Sequence, residues 1–393
     1  MRLTFLVTFI LGFCLSSHLS AQITLSDKAD IHILTCGPYQ GELYSAFGHS
    51  AIRVKDPVRK LDLLFNYGVF DFDQPNFYLN FARGYLHYKL DVTDYQRFRY
   101  HYVYYNRYIH EQVLNLTQEQ KQELFDFLQW NIKPANQYYY YDYFYDNCAT
   151  RVRDAVKTTF GEGVNFDGGH ITTEYTIREL TDLYLQHQPW GDLGIDICLG
   201  LPMDKTASPW MYMFLPDYIE QGFANATIRQ DSATVPLVKQ NIVTYAAKPM
   251  APDKTFFTPL VVFTMVLISG IIISIIGLKK GRRFKGIDIL LLIVTGLIGL
   301  LLFLLWVATD HKAAAQNMNL LWALPSHLVA GLWLIKNPNA RWLKGYFLFS
   351  ATVTGLTLVL WNFLPQQLHY SLIPLVALLV IRFVINYRWK YEN

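Results

Sequence analysis

Net charge, cysteine and internal repetition are all scarce in this sequence. The 393 residues carry a formal net charge of only +3, which is too small to argue for a nucleic-acid partner. Apart from a run of tyrosines near residue 140, no tract is repetitive or of low complexity. Only four cysteines are present, so the position of each one calls for an explanation.

Apolar residues are abundant, and the first of them form a secretory signal. They make up 52% of the chain. Arg2 is followed by the apolar stretch LTFLVTFILGFCL, and the segment ends on the small residue Ala21, which is typical of a signal peptide over residues 1–21. The alternative is a lipoprotein signal with Cys14 as the lipidated residue, but the residue before it is too large for that site. We therefore expect the mature chain to begin near Gln22, outside the cytoplasm.

The chain after residue 257 consists mainly of apolar runs near the length that a bilayer demands. Lys and Arg concentrate in the joints that follow the first run (KKGRRFKG), the third and the fifth. Because positive charge stays on the cytoplasmic side, an odd number of spans places the preceding residues outside and the C-terminus inside. The five predicted spans are 258–278, 287–307, 318–335, 346–364 and 371–387.

The polar part of the chain is predicted to be a periplasmic domain over 22–231 and a linker over 232–257, ahead of a transmembrane domain over 258–393. ADIHILTC alternates like a strand, and HSAIRV and LLFNYGVFDF predict a hairpin. TQEQKQELFDFLQWNI predicts a helix that Thr117 caps. The mixture indicates an α+β extracytoplasmic domain followed by an all-α bundle of five transmembrane helices.

The segment YDNCATRVRDAVKTTFG places a cysteine where a helix begins. Apolar residues recur on one face of this predicted helix, and Asp146 or Asn147 can cap its first turn. Cys148 then lies in the field of unpaired backbone amides, which stabilises a thiolate and lowers the pKa of a cysteine. Cys148 is therefore a candidate nucleophile. The alternative is a small buried residue that anchors the helix.

The other cysteines and the histidines bear on this interpretation. Removal of the signal leaves Cys36, Cys148 and Cys198, an odd number in an oxidising compartment. A disulfide between Cys36 and Cys198, for example, would leave Cys148 free. A thiol nucleophile needs a base, and His49 is the best candidate because it follows Phe-Gly at the start of a predicted strand.

The order of these elements resembles the circularly permuted papain-like thiol enzymes, which include the lecithin:retinol acyltransferase group. In both, a histidine on a strand precedes an Asn-Cys pair that opens a helix. More closely, the chain resembles the Lnb lipoprotein N-acyltransferase family with its N-terminal periplasmic domain. The segments that carry this resemblance are SAFGHSAIRV, FNYGVFDF, YDNCATRVRD, GIDICLGLPMD and MFLPDYI, followed by membrane helices.

The resemblance implies an acyl transfer at the inner (cytoplasmic) membrane of a bacterium. Cys148 would take an acyl chain from a phospholipid of the bilayer as a thioester and pass it to the N-terminal amine of a diacylglyceryl-cysteine lipoprotein. His49 would remove the thiol proton, and Asn66, or else Asp71, would orient the imidazole. The backbone amide of Cys148 would help to form an oxyanion hole. We expect no cofactor and no metal.

Two other functions fit the same residues. A Cys-His hydrolase, either a cell-wall peptidase or a lipid esterase, would use water as the acceptor. A sensor or scaffold would keep Cys148 for structure alone. The predicted spans favour a membrane-borne substrate, and the tyrosine-rich segments favour the lipid headgroup zone, although tyrosines also pack sheets.

Several polar residues lie outside this set. His327 falls in the third predicted span, where an ionisable side chain is costly, and we interpret it as a neutral histidine bonded to a neighbouring helix. Asp310 and His311, at the outer end of the second span, either face the active site or mark the water boundary. Three carboxylates suggest a metal cluster, but their spacing fits no metal cage and predicts a structured loop beside the site: Asp192, Asp196 and Asp204.

Overall fold

The computed structural model describes residues 23–70, 73–249 and 255–389. The predicted signal peptide with Cys14 and the expected new N-terminus at Gln22 lie outside these residues, and so does Asp71.

Ten strands lie in the described residues before 250. They are β1 (Asp30–Cys36), β2 (His49–Asp56), β3 (Leu61–Val69), β4 (His87–Asp94), β5 (Ile109–Leu114), β6 (Tyr138–Tyr140), β7 (Val164–Phe166), β8 (Ala226–Gln230), β9 (Ala233–Pro236) and β10 (Val238–Tyr245). The helices between them are α1 (Phe77–Arg83), α2 (Tyr95–Tyr104), α3 (Gln118–Asn131), α4 (Cys148–Phe160), α5 (Ile177–Leu185), α6 (Pro189–Cys198), α7 (Pro209–Tyr212) and α8 (Pro216–Ala224).

A seven-stranded antiparallel sheet organises this part of the chain, in the order β10-β5-β1-β2-β3-β4-β6. The predicted strand at ADIHILTC and the predicted hairpin are confirmed as β1, β2 and β3. A smaller sheet has the order β7-β8-β9. The described residues before 250, called the outer domain below, therefore contain both sheets and helices, as predicted. The permuted papain-like relation stays a prediction.

The alternation of side chains along the strands separates two packed layers. On one face, Ile33, Ile52 and Phe65 join the buried apolar residues of α3 and α4. On the other face, Leu34 and Leu64 pack against α2. The helices are defined at their first turns: Thr117 forms a capping box with Gln120 at the start of α3, as the sequence predicted.

The expected linker over 232–257 is shorter in the structure. Strands β9 and β10 occupy its first half, and β10 pairs with β5 to form one edge of the large sheet. The backbone of 238–245 therefore belongs to the outer domain. The sequence prediction missed it because β10 is largely exposed and polar, so that its hydrogen bonds rather than its hydrophobicity hold it in the sheet.

Five apolar helices follow: α9 (Pro259–Lys279), α10 (Lys285–Val307), α11 (Ser326–Lys336), α12 (Arg341–Val359) and α13 (Ile373–Arg388). Three segments are long and apolar enough to span a bilayer: 259–279, 285–307 and 370–388. A fourth is a pair of helical segments, 312–321 and 326–336, bent by 46°. The described residues thus contain three or four candidate spans, and five spans remain a prediction.

Two of the three carboxylates considered for a metal site instead bind an arginine. Arg178 is completely buried, and its guanidinium lies 2.9 Å from the Asp196 carboxylate and 2.9 Å from that of Asp204. Asp192 Oδ2 lies 3.1 Å from Nε2 of His369, in the segment before α13. The predicted loop is therefore mostly helix α6, and Asp192 of this helix bonds the outer domain to the apolar helices.

One end of the large sheet is called the membrane end below, because α1, which connects β3 and β4 at this end, is hydrogen-bonded to the residues after α10. It is where β1 ends at Cys36, β2 begins at His49, β3 ends at Val69 and β10 ends at Tyr245. The opposite end carries the turn between β2 and β3.

Candidate active site

Cys148 occupies the first turn of α4, with Asn147 as the N-cap. The Asn147 side-chain oxygen accepts hydrogen bonds from the backbone N–H groups of Ala149 and Thr150, at 2.8 and 2.9 Å. The Asn147 amide group donates to the carbonyl of Phe214 at 2.8 Å, which fixes this turn against the chain leading into α8. The helix start thus has one defined position, and Cys148 is 9% exposed there.

His49 is the first residue of β2, and a glycine before it sets its position. Gly48 has a φ of +82°, and a Cβ added to it would lie 2.7 Å from the backbone carbonyl oxygen of Cys36. Only glycine meets both conditions without displacement of the backbone. The turn therefore closes tightly against the end of β1 and directs His49 to the membrane end of the sheet.

Asn66 lies on the neighbouring strand β3, on the same sheet face as His49. The side-chain oxygen Oδ1 of Asn66 is 2.6 Å from Nε2 of His49. Because an amide oxygen only accepts hydrogen bonds, Nε2 carries a proton and donates a hydrogen bond to Asn66. The other ring nitrogen, Nδ1, is then left for Cys148, which is hydrogen-bonded to His49.

The charges of the thiol and the imidazole support each other. Burial alone would lower the pKa of His49, but the charge of a Cys148 thiolate and the hydrogen bonds to Cys148 and Asn66 raise it above its usual value. Burial alone would raise the pKa of Cys148, but the pKa is lowered by the charge of His49 and its hydrogen bond to the thiol. Hydrogen bonds from the backbone N–H groups of Ser50 and Ala149 lower it further. Each group in its charged form therefore stabilises the charged form of the other.

Two tyrosines and a glycine adjoin the thiol, and the sequence analysis assigned none of them to the site. A Cβ built on Gly68 would lie 3.5 Å from Cβ of Cys148, 3.3 Å from the ring of Tyr141 and 3.9 Å from the hydroxyl of Tyr139. The Tyr139 hydroxyl is buried and has no hydrogen-bond partner among the described residues. Burial, followed by the nearby Cys148 charge, raises the pKa of both tyrosines. The alternation of the tyrosine run, in which Tyr139 is the buried residue of β6, was the available signal.

The disulfide between Cys36 and Cys198 that served as an example is not present among the described residues. Cys36, Cys148 and Cys198 are all free. Cys36 is fully buried at the end of β1, opposite His49 in the strand register. Burial raises the pKa of the Cys36 thiol, so Cys148 is the cysteine of this pair whose pKa is lowered.

The remaining candidates lie apart from the thiol. His327 is buried, with Nδ1 at 3.0 Å from the Thr295 hydroxyl of α10, which agrees with a histidine bonded to a neighbouring helix. The backbone N–H of Asp310 donates to the Arg83 carbonyl at 2.9 Å, and Nε2 of His311 lies 3.1 Å from the Phe81 carbonyl. Asp310 and His311 therefore bind α1 to the end of α10.

Two family models match the chain. The model described as the Lnb N-terminal periplasmic domain matches residues 21–183, and the model described as the Lnb transmembrane domain matches residues 251–393. The chain belongs to the Lnb family. It is thus a membrane protein with an N-terminal periplasmic domain, and the Lnb N-terminal match contains His49, Asn66 and Cys148. No curated protein and no solved structure matches the chain significantly.

Proposed function

We propose that this Lnb-family protein is a lipoprotein N-acyltransferase that works through a thioester on Cys148. The observation that carries the proposal is the arrangement Asn66–His49–Cys148, in which the amide holds the imidazole at 2.6 Å and the imidazole bonds the thiol. The site lies at the membrane end of the sheet, the end from which an acyl donor in the bilayer would reach the thiol.

In the first half-reaction, the Cys148 thiolate attacks the ester carbonyl carbon of a phospholipid. The tetrahedral intermediate collapses as the C–O bond breaks, and the lysophospholipid oxygen leaves with the proton of the His49 imidazolium. The acyl group is then a thioester on Cys148, and His49 is neutral.

In the second half-reaction, the N-terminal amine of a diacylglyceryl-cysteine lipoprotein attacks the thioester carbonyl. Neutral His49 accepts a proton from the amine as the C–N bond forms, and the C–S bond breaks to return the Cys148 thiolate. The products are an amide on the lipoprotein and the starting thiolate–imidazolium pair. No cofactor or metal enters either half-reaction.

The site also supports a second function, hydrolysis of the thioester. The same pair would activate water in place of the amine, which makes a Cys-His lipid esterase or cell-wall peptidase the alternative. The match to both Lnb models, over 21–183 and 251–393, favours the acyltransferase or a lipid esterase over a cell-wall peptidase, because a soluble substrate does not require the membrane domain.

Intact-protein mass spectrometry of the full chain with phospholipid, in the absence of acceptor, tests the first half-reaction. We expect an added acyl mass that hydroxylamine removes. Cys148→Ala should carry no adduct, and His49→Ala should carry little, because the thiol must lose its proton before it attacks. Cys198→Ser, which changes another free cysteine, is the control and should acylate normally.

Addition of a diacylated lipopeptide then separates the two functions. The transferase should yield the N-acylated peptide, whereas a hydrolase should yield free fatty acid and unchanged peptide. Acylation of the peptide by Cys148→Ala would contradict the thioester mechanism.

We further propose five spans with a cytoplasmic C-terminus at the inner membrane, on the basis of the Lys and Arg distribution between the apolar runs. A reporter that is active only in the periplasm should work when it is fused after Lys248 and fail when it is fused after Asn393. The reverse pattern would place the thiol in the cytoplasm and remove the basis for a lipoprotein substrate.

A further inference from the structure

Helix α1 exposes an apolar surface beside the end of a membrane-span candidate. Tyr78, Leu79 and Phe81 are 79, 56 and 42% exposed, and no residue of α1 is buried. A water-exposed helix of this composition is unfavourable unless another apolar phase covers it.

Two hydrogen bonds hold α1 against the residues that follow α10. As described above, Asp310 and His311 bind the carbonyls of Arg83 and Phe81, and both follow directly after α10. Gly84 permits this contact, because its φ is +84° and a Cβ there would lie 3.0 Å from the Asp310 backbone. Helix α1 therefore lies beside the end of a candidate span, at the level where a bilayer would have its interface, and that interface would cover Tyr78, Leu79 and Phe81.

A cavity of about 520 Å³ lies behind α1, between the helix and the edge of the large sheet. Its apolar walls include the rings of Tyr138 and Tyr140 from β6. Its polar groups come from the helix and the sheet: Gln74, Asn80, His87 and Lys89.

Lys89 supplies a positive charge to this cavity, and His87 supplies a ring N–H that can donate a hydrogen bond. Lys89 and His87 project from β4 on one face, and the His87 ring is stacked on Tyr138 at 4.7 Å. Arg83 lies over Tyr85, a further wall residue, at 5.0 Å. The Asp91 carboxylate is 3.5 Å from the Lys89 ammonium and is the acidic group in contact with it. Both partners are partly exposed, so this ion pair is weak and leaves the ammonium available to a stronger anion.

The cavity is also next to the thiol along the chain. Val69 forms part of its wall, and the preceding residue, Gly68, packs against Cys148. In the strand register Asn66 is opposite Asp91, so Lys89 lies on the same sheet face as the Asn66–His49 pair. A ligand held by Lys89 would thus have its remainder directed along β3 towards Cys148.

We propose that this cavity binds the phosphodiester headgroup of a membrane phospholipid, while α1 dips into the bilayer interface. The phosphodiester satisfies Lys89 and His87 as an anion, and the glycerol esters extend towards the thiol. This inference rests on the proposed function for the identity of the bound lipid as the acyl donor, whereas binding itself does not require chemistry at Cys148.

The full chain in detergent micelles tests the proposal with two donors that share their acyl esters. Dioleoyl phosphatidylethanolamine carries the phosphodiester, and dioleoylglycerol lacks it. The variant Lys89→Gln/His87→Gln should need an about tenfold higher mole fraction of phospholipid in the micelles to reach half of its maximal acylation rate, because charge-assisted hydrogen bonds to the phosphate are lost. The maximal acylation rate itself should be unchanged. Acylation by dioleoylglycerol should be the same in variant and wild type. An equal loss with both donors, or no change with either, would overturn the proposal.

Matched controls lie at the opposite end of the sheet. Lys55→Gln removes a positive charge from an exposed position of β2 and should leave both donors unaffected. Tyr78→Ser/Leu79→Ser should lower the rate of acylation by both lipids severalfold, because apolar contact with the interface is removed. Val58→Ser, at a position 59% exposed in the β2–β3 turn, should leave both rates unchanged.

A binding measurement separates this proposal from the proposed function. Native mass spectrometry of Cys148→Ala should detect bound phosphatidylethanolamine, and Lys89→Gln/His87→Gln in the same background should lose most of it. Retention of the lipid by the variant would reject the headgroup site even if acylation were confirmed. Displacement of the lipid by millimolar inorganic phosphate would identify a free-phosphate site and also overturn the proposal.

Discussion

Nε2 of His49 lies 2.6 Å from Oδ1 of Asn66, although the two residues are 17 positions apart and belong to different strands. The contact selects the tautomer of the imidazole, because the amide oxygen accepts the Nε2 proton. When the imidazole is neutral, Nδ1 is therefore the ring nitrogen that can accept a proton.

Loss of the Asn66 amide should affect the rate of acylation more strongly than the free energy of unfolding. Asn66→Ala should reduce the rate of the acyl-thioester step on the order of 10²-fold, because the imidazole loses its orientation. Asn66→Asp should restore the orientation and raise the pKa of His49 further, through a full negative charge in place of the amide. Rapid-quench mass spectrometry over a range of pH measures both effects.

The exposed Asn225→Ala is the matched control for the Asn66 variants and should acylate at the wild-type rate. Full activity in Asn66→Ala would show that another group orients His49.

Alkylation of Cys148 should report the lowered pKa of its thiol. Since the pKa is below its usual 9.0, iodoacetamide should react rapidly at pH values where an ordinary thiol is mostly protonated. His49→Ala should move the inflection of the alkylation rate against pH to a higher pH. The reason is that burial raises the pKa of the thiol and the opposing imidazolium charge is gone. The alkylation rate, followed from about pH 5 to about pH 10 by mass spectrometry, measures the shift.

A Cys198→Ser background removes the competing partly exposed thiol from the alkylation assay. An inflection that does not depend on His49 would mean that the backbone amides of the helix start, not the imidazole, lower the pKa of Cys148.

Substitution of Gly48 should impair the site through the backbone. Gly48→Ala places a Cβ 2.7 Å from the Cys36 carbonyl oxygen at a φ of +82°, so that the turn must shift. We expect a loss of about 1–3 kcal/mol in the free energy of unfolding and a larger proportional loss of acylation, because His49 is displaced. Thermal unfolding and the acyl-adduct rate are the two measurements.

Gly163→Ala is the matched control for Gly48→Ala, because a Cβ at Gly163 meets nothing within 4 Å. Its unfolding and its acylation should remain close to wild type. Equal tolerance of both substitutions would contradict the requirement for glycine before His49.

Removal of Arg178, the buried cation near the start of α5, should destabilise the protein. Arg178→Met leaves the carboxylates of Asp196 and Asp204 buried without their partner, which costs about 3–5 kcal/mol. The free energy of unfolding of the full chain in detergent should fall accordingly.

Lys239→Gln breaks an ion pair with Asp30 whose side chains are 45 and 38% exposed. It should change the free energy of unfolding by less than about 1 kcal/mol. A similar response in both variants would mean that the Arg178 network contributes no more than a surface pair.

Local sequence patterns predicted the elements that carry the site. The alternation of HSAIRV and LLFNYGVFDF predicted the β2–β3 hairpin, and the Asn147-Cys148 pair predicted a capped helix start, because strand alternation and helix capping depend on residues close together in the chain. The same locality made Cys148 and His49 recognisable as candidates before their distance was known.

Features that depend on distant contacts were predicted less well. The pairing of the cysteines could not be predicted, because the spacing of cysteines carries no information about which of them meet. Strand β10 was placed in a linker because its pairing with β5 involves residues more than a hundred positions away.

The sequence alone therefore determined which chemical groups the chain has and which local elements present them: a thiol at a helix start, a histidine opening a strand and a set of apolar helices. Only the tertiary structure decided which groups meet. It set the 2.6 Å contact between His49 and Asn66, enclosed Arg178 between Asp196 and Asp204, and attached α1 to the end of α10. The physical reason is that capping and alternation act within a few residues, whereas side-chain contacts across the fold depend on the packing of the whole chain.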